Sequence, residues 1–548
     1  MLFNSYVFLL AFLPVTYLAW SFIQRRFGSH HAITFLALAS LVFYGWSSLE
    51  FLAIFLFSFA VNALCIYGLS YRRLGPFRLY TAAFGVVFNL AILGYFKYEN
   101  FFLHAFSDGA AQDFTLYKAA LPIGISFYTF QQIAYVVDSY RRHVDGYSVV
   151  KHMLFIAFFP QLIAGPIVHH AEMMPQFDRD RPDRRLMNLA IGLGIFAVGL
   201  FKKTFIADGV AVWADPAFEQ AAAGQLLTAT EAWIGTLAYS FQLYFDFSAY
   251  SDMAIGLARM FGIVLPLNFN SPYKSRSIVE FWRRWHITLS RFLRDYVYIP
   301  LGGNRFGPSR RYGNILMVMA LGGLWHGAGW TFVLWGVLHG SYIVINHGWH
   351  GVLRIAGLQG LAGRLWYGVA AWALTFVAVV SAWVPFRAPD IGTAVSMLRS
   401  MYGLQAPVAE AAAGQGMTFR NGIFGLHGPA HTTLTDLVMN FRNGMAGLYE
   451  VLATALSKSV HPVTRFNRDI GYDMALPVLV ICLVICLFLP NTAEIFQRYR
   501  PCLWPPGAAP ERFAAFRLTP VWGLSLAVLM AVAILQLPRV SPFLYFQF

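Results

Sequence analysis

The sequence predicts an all-α, polytopic integral membrane protein, and three observations carry that reading. Only 12% of the 548 residues are charged and 58% are hydrophobic, with a mean hydropathy of +0.55, whereas a soluble domain carries about 25% charge. Apolar runs recur along the whole chain, many approaching the roughly 20 helical residues that cross a hydrocarbon core. Basic residues gather in short loops beside those runs.

Taken in order, roughly a dozen hydrophobic segments emerge: 6–23, 33–45, 51–68, 80–95, 121–137, 186–201, 233–247, 314–324, 332–345, 366–384, 475–489 and 520–537. Several are too short to span unaided, and the shorter or Gly/Pro-broken ones are read as re-entrant pieces lining a cavity. The first segment lacks a basic leader and a small-residue cleavage site, and Arg25-Arg26 follow it, so it is read as a span and not a signal peptide. No internal repeat stands out. The expectation is one membrane domain over 1–548: N-terminal spans in 1–150, a core in 151–350, and C-terminal spans in 351–548 interrupted by a polar stretch at about 404–472.

A net charge of +14 raises the question of a nucleic-acid partner. The basic clusters Arg25-Arg26, Arg72-Arg73, Arg141-Arg142, Arg179 to Arg185 and Lys202-Lys203 instead flank spans, as the positive-inside rule requires, and argue against one. They place the N-terminus outside, 97–119 with Glu99, Asp108 and Asp113 outside, and the clusters at 497–500 and 511–512 inside. The stretch 404–472 then lies outside, as a docking surface or an ordinary inter-span loop. Cys65, Cys482, Cys486 and Cys502 form no Cys-x-x-Cys pair, and the pair one turn apart is read as packing.

Two histidines stand out. His286 lies in Phe281-Trp282-Arg283-Arg284-Trp285-His286, and His326 in Gly322-Gly323-Leu324-Trp325-His326-Gly327-Ala328-Gly329-Trp330. An imidazole at membrane depth is costly unless neutral and hydrogen-bonded, which makes it a functional-site candidate, and a neutral imidazole accepts protons. Spacing predicts a helix carrying Trp282, His286 and Ser290 on one face, with Glu280 and Arg284 as an i,i+4 pair. Arg283, Arg284, Arg291 and Arg294 concentrate positive charge around it. They suit the phosphates of a cofactor or lipid headgroups, and Arg283, Arg284, Trp282 and Trp325 are the candidate cofactor-binding residues. The glycines around His326 suit close helix approach.

Such an imidazole can deprotonate a hydroxyl attacking an acyl thioester and return the proton to the thiolate, while a second orients it or stabilises the oxyanion. The sequence shows no Gly-x-Ser-x-Gly elbow, Walker A loop or His-Glu-x-x-His, and His347 and His350 lack a nearby carboxylate or cysteine, so no metal is expected. Asp246 and Asp252 are unusual in an apolar region and are read as hydrogen-bond partners of a histidine or an arginine, or as helix-end carboxylates or a structural partner for Arg259. His339, one turn from Trp335, is read as a packed, hydrogen-bonded residue.

The run Phe281-Trp282-Arg283-Arg284-Trp285-His286-Ile287-Thr288-Leu289-Ser290-Arg291-Phe292-Leu293-Arg294-Asp295-Tyr296-Val297-Tyr298-Ile299-Pro300-Leu301-Gly302-Gly303-Asn304 closely resembles the signature of the bacterial membrane-bound O-acyltransferases, in their alginate O-acetyltransferase-like branch. The stretches 121–131, 159–167, 244–254, 384–390 and 543–548 match the same branch. The resemblance implies His326 as the catalytic histidine and His286 as a second active-site histidine. It also implies a ring of helices around a central tunnel, and a bacterial inner-membrane location. The implied donor is acetyl-CoA or another cytoplasmic acyl thioester, with no permanently bound cofactor. Implied partners are periplasmic acetyl-transfer proteins, a secreted alginate-like or cellulose-like polysaccharide, and membrane lipid. Sibling activities, D-alanyl transfer to teichoic acid or acetyl transfer to peptidoglycan, are the near alternatives. A proton-coupled transporter predicts paired broken helices, and a non-enzymatic scaffold gives no reason for the two histidine contexts.

Overall fold

The computed structural model describes residues 1–70, 75, 77–106, 121–141, 146–178, 184–404, 472–505, 516–539, 541, 543 and 544. Arg72, Arg73, Arg142, residues 179–183 and 511–512, and all of the polar stretch 404–472 except its two ends lie outside the described residues. Each predicted apolar segment lies on a helix, give or take a few residues at its ends. The principal helices are α1 (Leu13–Phe27), α2 (Ser29–Gly45), α3 (Leu49–Ser70), α4 (Phe77–Leu93), α5 (Ile125–Tyr140), α6 (Arg185–Phe201), α7 (Asp208–Ala222), α8 (Ala229–Met260), α9 (Ile278–Arg284), α10 (Ile287–Leu293), α11 (Gly307–His326), α12 (Trp330–Ile355), α13 (Leu365–Arg387), α14 (Ile391–Met401), α15 (Tyr472–Phe488) and α16 (Pro520–Leu535). Among the described residues, five helices are long and apolar enough to cross a membrane: Val7–Phe27, Leu49–Ser70, Phe77–Phe102, Arg185–Ala222 and Leu365–Arg387. The chain is a polytopic all-α membrane protein.

The segment at 233–247 is part of something longer. Thr228 starts α8 with a reciprocal cap, its hydroxyl accepting from the Glu231 amide at 3.3 Å and the Glu231 carboxylate accepting from the Thr228 amide at 2.8 Å, which satisfies two otherwise orphaned donors. The helix then runs for 32 residues, with every residue from Ala238 to Met260 buried. It is a central column shared by two apolar clusters. One gathers Tyr250 to Ile263 with the N-terminal helices, and the other gathers Ala232 to Phe247 with α7, α13 and α15.

Glycine lets the helices touch. A Cβ on Gly192 in α6 would lie 2.5 Å from the Gly256 carbonyl oxygen of α8, and one on Gly256 would lie 2.6 Å from that of Gly192. In the α11–α12 hairpin, a Cβ on Gly323 would lie 2.1 Å from the Phe332 oxygen and one on Gly336 2.2 Å from the Met319 oxygen. Backbone cannot yield as a side chain can, so Gly323→Ala forces the two helices apart. The expected destabilisation is about 1–3 kcal/mol, read as a lower thermal unfolding midpoint of the solubilised protein. Gly348→Ala on the same hairpin, where a Cβ meets nothing within 4 Å, is the control that should not lower it.

Asp246 and Asp252 partner lysines, contrary to the expectation of a histidine or arginine. Lys203 Nζ lies 2.7 Å from Asp246 Oδ1 and 2.8 Å from Asp208 Oδ1, and Lys202 Nζ lies 2.7 Å from Asp252 Oδ2. Lys202 and Lys203 sit on a π-helical turn, Lys202–Ala207, between α6 and α7. The wider turn places both basic side chains against α8, and single π turns of this kind mark functional or strained positions. The sequence reads the pair as a loop cluster; in the structure Lys203 is buried and Lys202 partly so, and both anchor to α8.

Candidate active site

His286 does not lie within a helix. Trp285 is extended (φ −100°, ψ 128°) and His286 is left-handed (φ 43°, ψ 51°), so α9 and α10 are separate short helices. The expected single helix across 279–290 is thereby corrected, and with it the shared face of Trp282, His286 and Ser290. The cause is tertiary: the extended segment before α9 captures the backbone at the break, Asn270 N donating to Arg284 O at 2.9 Å and Ile287 N to Asn268 O at 3.0 Å. A left-handed non-glycine residue costs about 1–3 kcal/mol and persists where its surroundings over-determine it. The i,i+4 pair does form, with Arg284 and Glu280 2.9 Å apart.

The break delivers the imidazole into the protein. His286 is fully buried, and its Nδ1 lies 3.1 Å from Asn268 Oδ1. That oxygen also accepts from the Thr288 hydroxyl at 2.9 Å and the Thr288 amide at 3.4 Å. An amide N–H can only donate, so the Asn268 atom is the oxygen and His286 Nδ1 carries the proton. The neutral ring then keeps its lone pair on Nε2. Asn268 is held in turn by its Nδ2 donating to Ser251 Oγ on α8 at 3.2 Å.

His326 is the last residue of α11 and is buried. Its ring centroid lies 6.2 Å from that of His286. Around the two rings stand Phe247, 4.8 Å from His286, and Trp325, Trp335 and Phe386, at 5.0, 5.2 and 5.3 Å from His326. Leu243, Phe247, Trp285, His326, Trp335, Trp383 and Phe386 line a cavity of about 10 Å³, close to the space one water requires. The walls are apolar and aromatic, so a charge developing there meets little solvent and any preorganised donor acts at full strength.

The structure brings together some of the predicted residues. His286, His326 and Trp325 are mutual neighbours, and Trp325 is stacked on Phe130 at 5.0 Å. Trp282 is one step removed: its indole N–H donates to His339 Nδ1 at 3.3 Å, and His339 packs 4.8 Å from Trp335. His339 is thus the packed, hydrogen-bonded residue its spacing suggested. Arg283 is exposed, and Arg284 is engaged by Glu280 and the Asn270 carbonyl oxygen at 3.2 Å. Arg291 is paired with Glu172 and Arg294 with Asp295.

Sequence reasoning missed Asn268, which lies 18 residues before His286 in a stretch without helical periodicity. Replacing it by alanine leaves the His286 N–H and the Thr288 hydroxyl without their acceptor. An abandoned buried donor costs about 1–3 kcal/mol. Asn268→Ala is therefore expected to lower the protein's turnover about tenfold to a hundredfold, with the substrate KM little changed, in a steady-state assay on the reconstituted protein.

Known proteins resemble this chain over most of its length. Residues 12–381, a span that includes both histidines, match the membrane-bound O-acyltransferase family. The peptidoglycan O-acetyltransferase of Helicobacter pylori is 41% identical over 432 residues, covering 74% of this chain and 80% of that protein. A probable alginate O-acetylase of Pseudomonas aeruginosa is 41% identical over 417 residues, covering 73% and 75%. The teichoic acid D-alanyltransferase of Streptococcus thermophilus is 28% identical over 284 residues, covering 48% and 68%. With a family match running over more than half its length and relatives of this similarity, the chain belongs to the membrane-bound O-acyltransferase family and is an O-acyltransferase of the membrane.

Proposed function

We propose that this O-acyltransferase takes an acetyl group from a cytoplasmic thioester, acetyl-CoA, and passes it across the bacterial inner membrane for esterifying hydroxyls of a secreted exopolysaccharide. The observation that carries the reading is the pair of buried imidazoles with ring centroids 6.2 Å apart in an aromatic chamber. The relatives named for acetyl transfer are 41% identical to this chain, against 28% for the D-alanyl relative. His326 is the general base: its ring takes the proton of the attacking hydroxyl as the new C–O bond forms. When the tetrahedral intermediate collapses and the C–S bond breaks, the imidazolium returns that proton to the thiolate. His286, its tautomer set by Asn268, orients the acyl group and stabilises charge developing on its oxygen.

Arg283 and Arg284 are the side chains we offer to the donor's phosphates, and Trp282 and Trp325 those we offer to the rest of the donor. Periplasmic acetyl-transfer proteins complete delivery to the glycan. No resident cofactor enters this scheme. A second reading places the acetyl group on peptidoglycan, favoured by the Helicobacter pylori relative at the same 41% identity. Incubating the reconstituted protein with labelled acetyl-CoA and purified alginate, cellulose or peptidoglycan, each with a periplasmic fraction, separates them. Label on an exopolysaccharide supports the first reading, and label confined to peptidoglycan replaces it with the second.

A further inference from the structure

α11 ends at His326 inside the protein, and a helix leaves its last four carbonyls without intrahelical donors. Trp325 and His326 are buried, so bulk water does not fill that role at the last turn. The accounting here is complete. Gly323 O accepts from the Gly327 amide at 3.4 Å. Leu324 O accepts from the Tyr98 hydroxyl at 2.9 Å. Trp325 O and His326 O both accept from Lys97 Nζ, at 2.6 and 3.0 Å. The same ammonium lies 5.9 Å from the centroid of the Trp325 ring. Lys97 and Tyr98 belong to the π-helical turn Gly94–Tyr98 that continues α4, in the membrane-crossing helix Phe77–Phe102. An ammonium at a helix C-terminus also meets the negative end of the dipole, a further favourable term.

We infer that Lys97, assisted by Tyr98, is a positioning residue for the acyl transfer: it ties off the C-terminus of α11 and thereby fixes the His326 ring against His286. This rests on His326 being the catalytic base. Immediately after His326 the chain runs through Gly327, Ala328 and Gly329 into α12, a linker with little stiffness of its own. Without Lys97, two buried carbonyls lose their charged donor and the final turn is free to fray. A displacement of about 1 Å at a reacting group costs about a hundredfold in rate. Lys97 acts through backbone and not on substrate, so its loss should appear in kcat and leave the KM for the donor unchanged.

The test uses the full chain in nanodiscs with Lys97→Met, Lys97→Arg and Tyr98→Phe, beside His326→Ala. Two readouts are taken: steady-state transfer from labelled acetyl-CoA, and amide hydrogen exchange over residues 322–332. Expected for Lys97→Met are a kcat about a hundredfold lower with a donor KM within about twofold, and faster exchange confined to that segment. Lys97→Arg should recover most of both. Tyr98→Phe, which removes only the Leu324 bond, should show the same pattern more weakly and serves if Lys97→Met does not fold. Wild-type exchange in both Lys97→Met and Tyr98→Phe overturns the inference, as does faster exchange with undiminished kcat. Should His326→Ala remain active, the reading of the site fails, while the exchange measurement still decides whether Lys97 holds the helix end.

Discussion

Replacing His326 by alanine is expected to reduce acyl transfer by about a thousandfold or more, since positioned acid–base catalysis contributes about 10²–10⁴ in rate and this ring is asked to serve both directions of proton transfer. Protein yield and unfolding midpoint should change little by comparison. The ring is ringed by Trp325, Trp335 and Phe386, large side chains that pack on one another: Trp335 lies 5.0 Å from Phe386 and 5.7 Å from Trp383. His326→Gln keeps a polar group of similar reach but has no proton-accepting nitrogen, and it should be as inactive. His286→Ala should be severe as well, and the double variant no worse than His326→Ala alone, because residues acting as one unit are not additive.

The second large effect is on stability. Lys203 is 1% exposed and its ammonium is shared by Asp246, itself 1% exposed, Asp208 and the Ser541 hydroxyl at 2.9 Å. Asp246 Oδ2 also accepts from the Leu544 amide at 3.1 Å, so the cluster joins α8, the π turn before α7 and the C-terminal residues. Lys203→Met removes the cation and leaves two carboxylates facing each other with little solvent. Breaking a buried pair in this way costs about 3–5 kcal/mol. The expected result is a much lower thermal unfolding midpoint, partly recovered in Lys203→Met combined with Asp246→Leu, where no charge is stranded at that position. A midpoint equal to wild type for Lys203→Met would show that the pair contributes nothing.

What the sequence made legible follows from local pattern. Apolar runs of helical length located the helices, because in a membrane the backbone must satisfy itself within each segment. Tryptophan and glycine around the two histidines marked them out, and the structure sets those rings side by side. Less was legible wherever one part of the chain decides the conformation of another. The break at Trp285–His286 is imposed by the Asn268 carbonyl oxygen accepting from the Ile287 amide and the Asn270 amide donating to the Arg284 carbonyl oxygen, and neither asparagine signals itself in the local periodicity. The apolar run ends at Tyr95, so the sequence places Lys97 at the start of an outer loop; the helix instead continues through a π turn, and the local signal is a lone lysine beside aromatic residues. Asp246 and Asp252 were recognised as costly and given the wrong partners, because the register that sets α6 beside α8 depends on glycine contacts such as Gly192 with Gly256. The length of α8 is also hidden: Asp246, Ser248, Ser251 and Asp252 interrupt its hydropathy, and ion pairs and hydrogen bonds from other elements hold Asp246, Ser251 and Asp252 in the buried helix.

The most direct measurement on the central claim is transfer by the wild-type protein and His326→Ala in proteoliposomes, with labelled acetyl-CoA on one face and polysaccharide plus periplasmic fraction on the other. The account predicts label in alkali-labile ester on the polysaccharide for wild type, and background for His326→Ala. Equal transfer by the two proteins would contradict it. So would wild-type protein that transfers nothing yet moves a solute in response to a pH gradient, with that movement lost in His326→Ala.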